Sequence, residues 1–281
     1  MRNIELRHKF PPSRSGRMLK KMVPGAVLAL LATPILAAEL KPGNELTLGG
    51  GVDVAPRYSG SDESRVTTAL VLDYAMANGF FVSTTRGIGY GNNIGKLNYS
   101  TALSYRTGRK DRNVDSDAIS DGSDGSDDLR GMGDVKGSAL GVPALGYEVT
   151  DWLNVQLQAE VPISQRSNGE ALHFSIISPF YKSAKNSVTL ALTGSWGTSK
   201  YMQTYYGVSA AQSAASGFSR YDAGSGIYAW SMNMDWTHKL NEDWSVVAAA
   251  GFTQLAGDAR NSPIVQRKAS PTGSLKVTYS F

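Results

Sequence analysis

His173 and Ser175 stand two residues apart, followed at some distance by Asn186. On a β-strand that spacing puts both side chains on one face. A histidine beside a serine is the pairing that activates a nucleophile for ester hydrolysis, with an amide such as Asn186 as a third, orienting group. A second chemical feature is the stretch Asp111–Asp128, where seven aspartates stand among serines and glycines against one arginine. Closely spaced carboxylates suit calcium, but a calcium-binding loop of the EF-hand type needs a Glu at its twelfth position, and none is there. The run therefore reads as a solvated surface loop that buries too little to order itself. No phosphate-binding glycine loop, zinc spacing or nucleotide fingerprint occurs, so no cofactor or metal is expected.

Whether His173 and Ser175 can act depends on the element that carries them. Leu172, Phe174 and Ile176 alternate with them. The same period of two returns at Leu97, Tyr99, Thr101, Leu103 and Tyr105, and again across Leu153–Val161, Val188–Trp196 and Tyr228–Leu240. Each run has one oily and one wet face. About ten such segments of roughly ten residues, divided by turns, predict a transmembrane β-barrel. A soluble sandwich alternates too, but it would not set rows of Tyr and Trp near strand ends. In a barrel, Leu172, Phe174 and Ile176 take the lipid face, so His173 and Ser175 point into the lumen. A lipid hydrolase needs them toward the bilayer, and catalysis is not expected.

Residues 1–38 are read as a secretory leader. Arg14, Arg17, Lys20 and Lys21 precede the apolar run Val23–Leu36, with Ala37 and Ala38 at the cleavage site. Met18 would open a leader of more usual length, and translation is expected to start there. The apolar run, about 14 residues with Pro24 and Pro34, is too short for a span of about 20. Without the leader the chain keeps 21 basic and 23 acidic residues, so its basic character is no nucleic-acid footprint. Cysteine is absent, which excludes disulfides and thiolate metal sites. Residues 39–281 then suit one outer-membrane barrel of a Gram-negative cell, in contact with lipid and lipopolysaccharide.

Strands are expected near Leu46–Pro56, Arg65–Tyr74, Phe80–Thr85, Lys96–Arg106, Ala139–Val149 and Trp152–Val161. Further ones are expected near Leu172–Tyr181, Val188–Trp196, Ile227–Leu240, Trp244–Leu255 and Ser274–Phe281. A bacterial barrel needs an even number. A twelfth strand near Gly87–Asn92, blurred by its glycines, completes the set, with ten strands as the alternative. Short turns face the periplasm and long loops the outside. In that register Trp196 and Trp230 fall at the outer interface, and Trp152, Trp236 and Trp244 at the inner one, where indole rings favour the headgroup layer. His238, in phase with Trp236, joins that girdle. Inward faces carry Arg106 on one strand, Gln156, Gln158 and Glu160 on another, and Asp235 and Lys239 on a third. They line a pore or knit into a plug, and mixed charge in a narrow lumen favours the plug. Tyr279 and Phe281 form an aromatic signal for the barrel-assembly machinery.

Several loop segments carry a family resemblance. They are Tyr58-Ser-Gly-Ser-Asp62, Gly108-Arg109, Leu129-Arg-Gly-Met-Gly-Asp-Val135 and Tyr205-Tyr-Gly-Val-Ser209, then Gln212-Ser213, Ser216-Gly-Phe-Ser-Arg-Tyr221 and Gly224-Ser-Gly226. Leu255-Ala-Gly-Asp-Ala259, Asn261-Ser-Pro-Ile-Val265 and Tyr279-Ser-Phe281 follow. In this order the chain resembles the MipA/OmpV family of outer-membrane proteins, from which the acidic insertion departs. The resemblance implies a non-enzymatic barrel whose namesake brings a lytic transglycosylase, MltA, together with a bifunctional murein synthase. It supplies no catalytic or ligand residues. A passive small-solute channel and a surface adhesin acting through the loops are the alternatives.

Overall fold

The computed structural model describes residues 43–114 and 124–281. The expected leader, and the centre of the acidic run, lie outside the described residues. In chain order the elements are β1 (Glu45–Pro56), β2 (Ser64–Ala75), β3 (Phe80–Ser83), β4 (Gly87–Ile94), β5 (Leu97–Arg106), β6 (Arg109–Lys110) and β7 (Asp124–Gly125). Then come β8 (Ser138–Thr150), β9 (Leu153–Pro162), β10 (Ala171–Lys182), β11 (Asn186–Gly197), α1 (Ser199–Tyr206) and α2 (Ala210–Ser216). The chain closes with β12 (Gly226–Lys239), β13 (Trp244–Leu255), α3 (Gly257–Asn261) and β14 (Ala269–Ser280).

Twelve of these strands form one closed antiparallel barrel, with β6 and β7 apart as a small parallel ladder in a loop. Each barrel strand pairs with its neighbours in the chain, and β1 closes the ring against β14 from Thr47↔Ser280 to Val54↔Gly273. Closing the ring removes the two terminal edges an open sheet would leave, as backbone polar groups crossing a bilayer require. The twelfth strand is β4, at the glycine-blurred position the parity argument required.

Alternation sets the two faces. On β9, Leu157 is 49% exposed while Gln156 is 7% exposed. Leu70, Leu103, Phe174, Met232 and Leu275 continue the apolar outer belt around the ring. No helix is long and apolar enough to cross a membrane, among the described residues.

The wall is uneven at β3. Strand β2 pairs with it only over Asp73–Ala75. Beyond that point Thr84 takes over: its backbone N–H reaches the Leu72 carbonyl, and its hydroxyl donates to the Leu70 carbonyl at 3.0 Å. Behind this hairpin Phe81, Ala102, Leu140 and Val142 form an apolar cluster inside the lumen.

All connections of two to four residues except that between β3 and β4 lie at one end, and the long ones lie at the other. Two of the long loops fold into helices. Thr198 caps α1 by accepting the Tyr201 N–H, and Ser209 with Gln212 makes a reciprocal capping box on α2. Such caps satisfy backbone donors left over at a helix start.

Candidate functional site

The lumen and the loops above it hold nearly all the buried polar chemistry of the protein. At the long-loop end, Arg106 closes β5 and Glu160 lies on the inward face of β9. The Arg106 guanidinium donates through Nε and one terminal nitrogen to the same Glu160 oxygen, at 2.9 and 2.7 Å. Its other terminal nitrogen reaches the Gly169 carbonyl at 3.0 Å. The cation also lies 4.9 Å from the Tyr201 ring and 5.8 Å from that of Tyr205, so α1 sits directly on the ion pair. Cation–ring contacts strengthen when water is excluded.

His173 and Ser175 do point into the lumen, and both are buried. Each is engaged by β11 rather than by the other. His173 Nδ1 is 3.0 Å from Ser195 Oγ, and Ser175 Oγ is 2.8 Å from Thr193 Oγ1. The remaining His173 nitrogen stands 3.6 Å from Glu160. Asn186 is at the opposite end of the barrel, where its amide oxygen serves Trp236 Nε1 at 3.1 Å and His238 Nδ1 at 2.9 Å. A nucleophile, its base and its orienting group must be mutually in reach. These three are not.

The expected single network of Arg106, Glu160, Asp235 and Lys239 is corrected by the register. Only Arg106 and Glu160 meet. Lys239 pairs with Ser245 at the short-turn rim and is exposed. Asp235 lies in the middle of its strand, opposite Thr189 and Ala249. Two further pairs take up charge instead: Lys276 with Asp53 at 3.1 Å and Arg86 with Asp73 at 2.7 Å. Gln156 is buried on β9, two and four residues before Gln158 and Glu160.

Above the ion pair the loops build a cap with a core of its own. Tyr201, Met202 and Tyr206 of α1 pack with Tyr228, Leu255 and Ala259. A second cluster joins Tyr58, Leu129, Met132, Val208 and Ile264. These residues come from four different loops. Polar bonds tie the loops together: Tyr58 hydroxyl to the Ile264 carbonyl at 2.9 Å, Gln212 Nε2 to the Met132 carbonyl at 2.8 Å, and Tyr221 hydroxyl to the Asp258 carbonyl at 2.9 Å. Gly131, with φ +85°, passes so close to α2 that a Cβ would meet the Ala215 carbonyl oxygen at 2.5 Å.

Arg109 is buried in this cap and donates to the Tyr205 carbonyl at 2.9 Å. Burial pulls its guanidinium below the usual value. Burial likewise pushes the Tyr58, Tyr201 and Tyr206 hydroxyls well up. The described part of the acidic run is engaged in ion pairs, Asp124 with Arg65 and Asp127 with Arg130.

All five tryptophans occur near strand ends. Trp196 and Trp230 stand near the cap, and Trp152, Trp236 and Trp244 near the short turns. Trp244 packs edge-on against Tyr279 at 5.1 Å, and Tyr279 against Phe281 at 4.6 Å.

The family profile described as MltA-interacting protein MipA matches residues 48–281, nearly the whole described barrel. The chain belongs to the MipA family. Over 103 residues it is 30% identical to the MltA-interacting protein of Escherichia coli K12; that alignment covers 36% of this chain and 40% of the relative's length. It is 25% identical over 267 residues to the protein of Escherichia coli O157:H7 named as outer membrane protein YiaT, covering 91% of this chain and 98% of YiaT. Among solved structures the KdgM porin aligns with a TM-score of 0.43 at 13% identity, over 84% of this chain and 99% of KdgM. The NanC porin aligns with a TM-score of 0.45 at 10% identity, over 83% and 98%. This MipA-family barrel is an outer-membrane protein. Short turns of such barrels face the periplasm, which places the cap outside the cell.

The segments that carry the family resemblance are the segments that interlock in the cap: Tyr58, Leu129, Met132, Tyr206, Val208, Tyr221 and Ile264 all belong to them. Sequence reading missed the helices there. The capping pair Ser209 and Gln212, with Gly217 behind it, was the available signal.

Proposed function

We propose that this protein is a non-enzymatic outer-membrane barrel, sealed on its outer side, that serves as a structural scaffold through its periplasmic rim. The observation that carries this reading is the cap, whose two apolar clusters pack several long loops together over the Arg106–Glu160 pair at the end of the lumen. A passive channel needs a continuous wet path, and a buried core is a poor gate because opening it exposes apolar surface. The MltA-interacting relative supports the lytic transglycosylase MltA as partner, and the family resemblance implies a murein synthase as the second arm of the scaffold. The inner turns are short, so such partners would dock on the rim, where Lys239, Glu242 and Asp243 are exposed.

In the same reading residues 1–38 are the removed leader. The five tryptophans anchor the barrel at the two interfaces, and Tyr279 with Phe281 is read by the assembly machinery. Single-channel recording on the refolded protein, together with co-purification against a lytic transglycosylase, tests the proposal. Silence with capture supports it. Stable conductance steps that change when Glu160 is neutralised would put the channel in its place.

A further inference from the structure

The short-turn half of the lumen contains a half-open cavity between β5, β8, β9 and β10. Its interior space is about 60 Å³, room for the end of a ligand rather than for a whole drug-sized molecule. Asn98, Ser100, Ala144, Gly146, Asn154 and Gln156 give it its character.

Gly146 creates the space. Its backbone has no positive φ, and a Cβ built there would meet only ordinary contacts, the Val155 carbonyl at 3.5 Å and Asn98 Cβ at 3.6 Å. Neither conformation nor packing demands glycine, so what its missing side chain leaves is room. The walls are unfinished as well. Gln156 Oε1 and Asn154 Oδ1 are buried without partners, and Gln156 is 7% exposed. The cavity is open at its mouth, so water or a guest can meet these oxygens. Primary amides offer both donors and acceptors at one site. No cation lines the cavity, and the carboxylate of Glu148 stands among its lining residues, which opposes an anionic guest.

We infer that this cavity binds the neutral, hydroxyl- and acetamido-bearing end of a saccharide entering from the periplasm. Paired amides match sugar hydroxyls, which also donate and accept, and the absence of cations excludes uronates and other acidic sugars. The inference rests on the outer end being the sealed one, and it names a ligand for the scaffold's inner face.

The test uses the full barrel refolded in detergent micelles, titrated with N,N′,N″-triacetylchitotriose by calorimetry or saturation-transfer NMR, with digalacturonate and triglycine as controls. Saturable binding of the neutral sugar alone is expected. Gly146→Val, which fills the space, and Gln156→Leu, which removes an amide at similar volume, should each weaken binding at least tenfold while heat-modifiable migration stays normal. If Gly146→Val fails to fold, Gln156→Leu and Asn154→Leu carry the test. No saturable binding, undiminished binding by the folded variants, or equal binding of either control overturns the inference. Conductance recorded on the same preparation separates the two readings. Steady current would sink the sealed barrel, whereas silence without sugar binding sinks only the site.

Discussion

Leu157 and Gln156 are neighbours on β9 that face different media, one lipid and the other the lumen. Leu157→Arg puts a cation against hydrocarbon and should cost about 2–4 kcal/mol near mid-membrane. Gln156→Arg should be tolerated, because Gly146 and Ala144 leave room and water can reach the group. Urea titration of both variants in lipid vesicles checks this, and equal losses would reverse the face assignment. The Arg106–Glu160 pair gives a second residue-level expectation. Removing one partner from a buried pair strands the other, at about 3–5 kcal/mol. Glu160→Gln and Arg106→Ala should each destabilise strongly, and the double variant by clearly less than their sum. Simple additivity would show that the two do not act as a pair.

The cap is an element with stability of its own. Met202 is fully buried in it, and Met202→Ala should cost about 2–5 kcal/mol. Because Met202 sits on a loop helix outside the strand ladder, the loss should appear as local opening rather than barrel unfolding. Faster protease cleavage within 198–225, with unchanged heat-modifiable migration, is the expected result. The loop between β5 and β8 adds a pH-dependent latch. Burial tends to raise the Asp134 carboxyl, but Lys110 Nζ at 3.0 Å and the Asp111 N–H at 3.2 Å outweigh it and hold the group below the usual carboxylate value. A depressed value means the latch is present above about pH 4, the ordinary carboxylate range, and is lost as pH falls through the lower folded value. Proteolysis of this loop should therefore accelerate only in acid. Asp134→Asn should show the fast rate already at pH 7, and a variant that keeps the parent's pH profile would rule the latch out.

At the scale of the whole molecule, closure of β1 against β14 makes the last strand part of every other strand's stability. Phe281 donates its N–H to the Leu46 carbonyl at 2.9 Å and packs edge-to-face against Tyr279. Burial of one such aromatic is worth about 1–3 kcal/mol. Phe281→Ser should lower the assembled yield in cells more than it lowers stability measured in vesicles. A yield that falls only in step with vesicle stability would remove the assembly role.

Much of the architecture follows from local rules. Period-two alternation is a property of consecutive residues, so the strands and their oily faces were legible in the chain. Parity then located β4 behind its glycines, and phase alone turned His173 and Ser175 inward. What could not be read is which residues meet across strands. His173 finds Ser195 and Ser175 finds Thr193 because of the β10–β11 register, and Lys239 misses Glu160 because β12 ends at the short-turn rim while Glu160 lies near the long-loop end of β9. The cap was hidden for the same reason. Tyr58, Leu129, Val208 and Ile264 lie in four loops far apart in sequence, with no periodicity to announce a core, and only closure of the barrel brings those loops above one opening. The space left by Gly146 was equally invisible, since a cavity exists only once the neighbouring strands are in place.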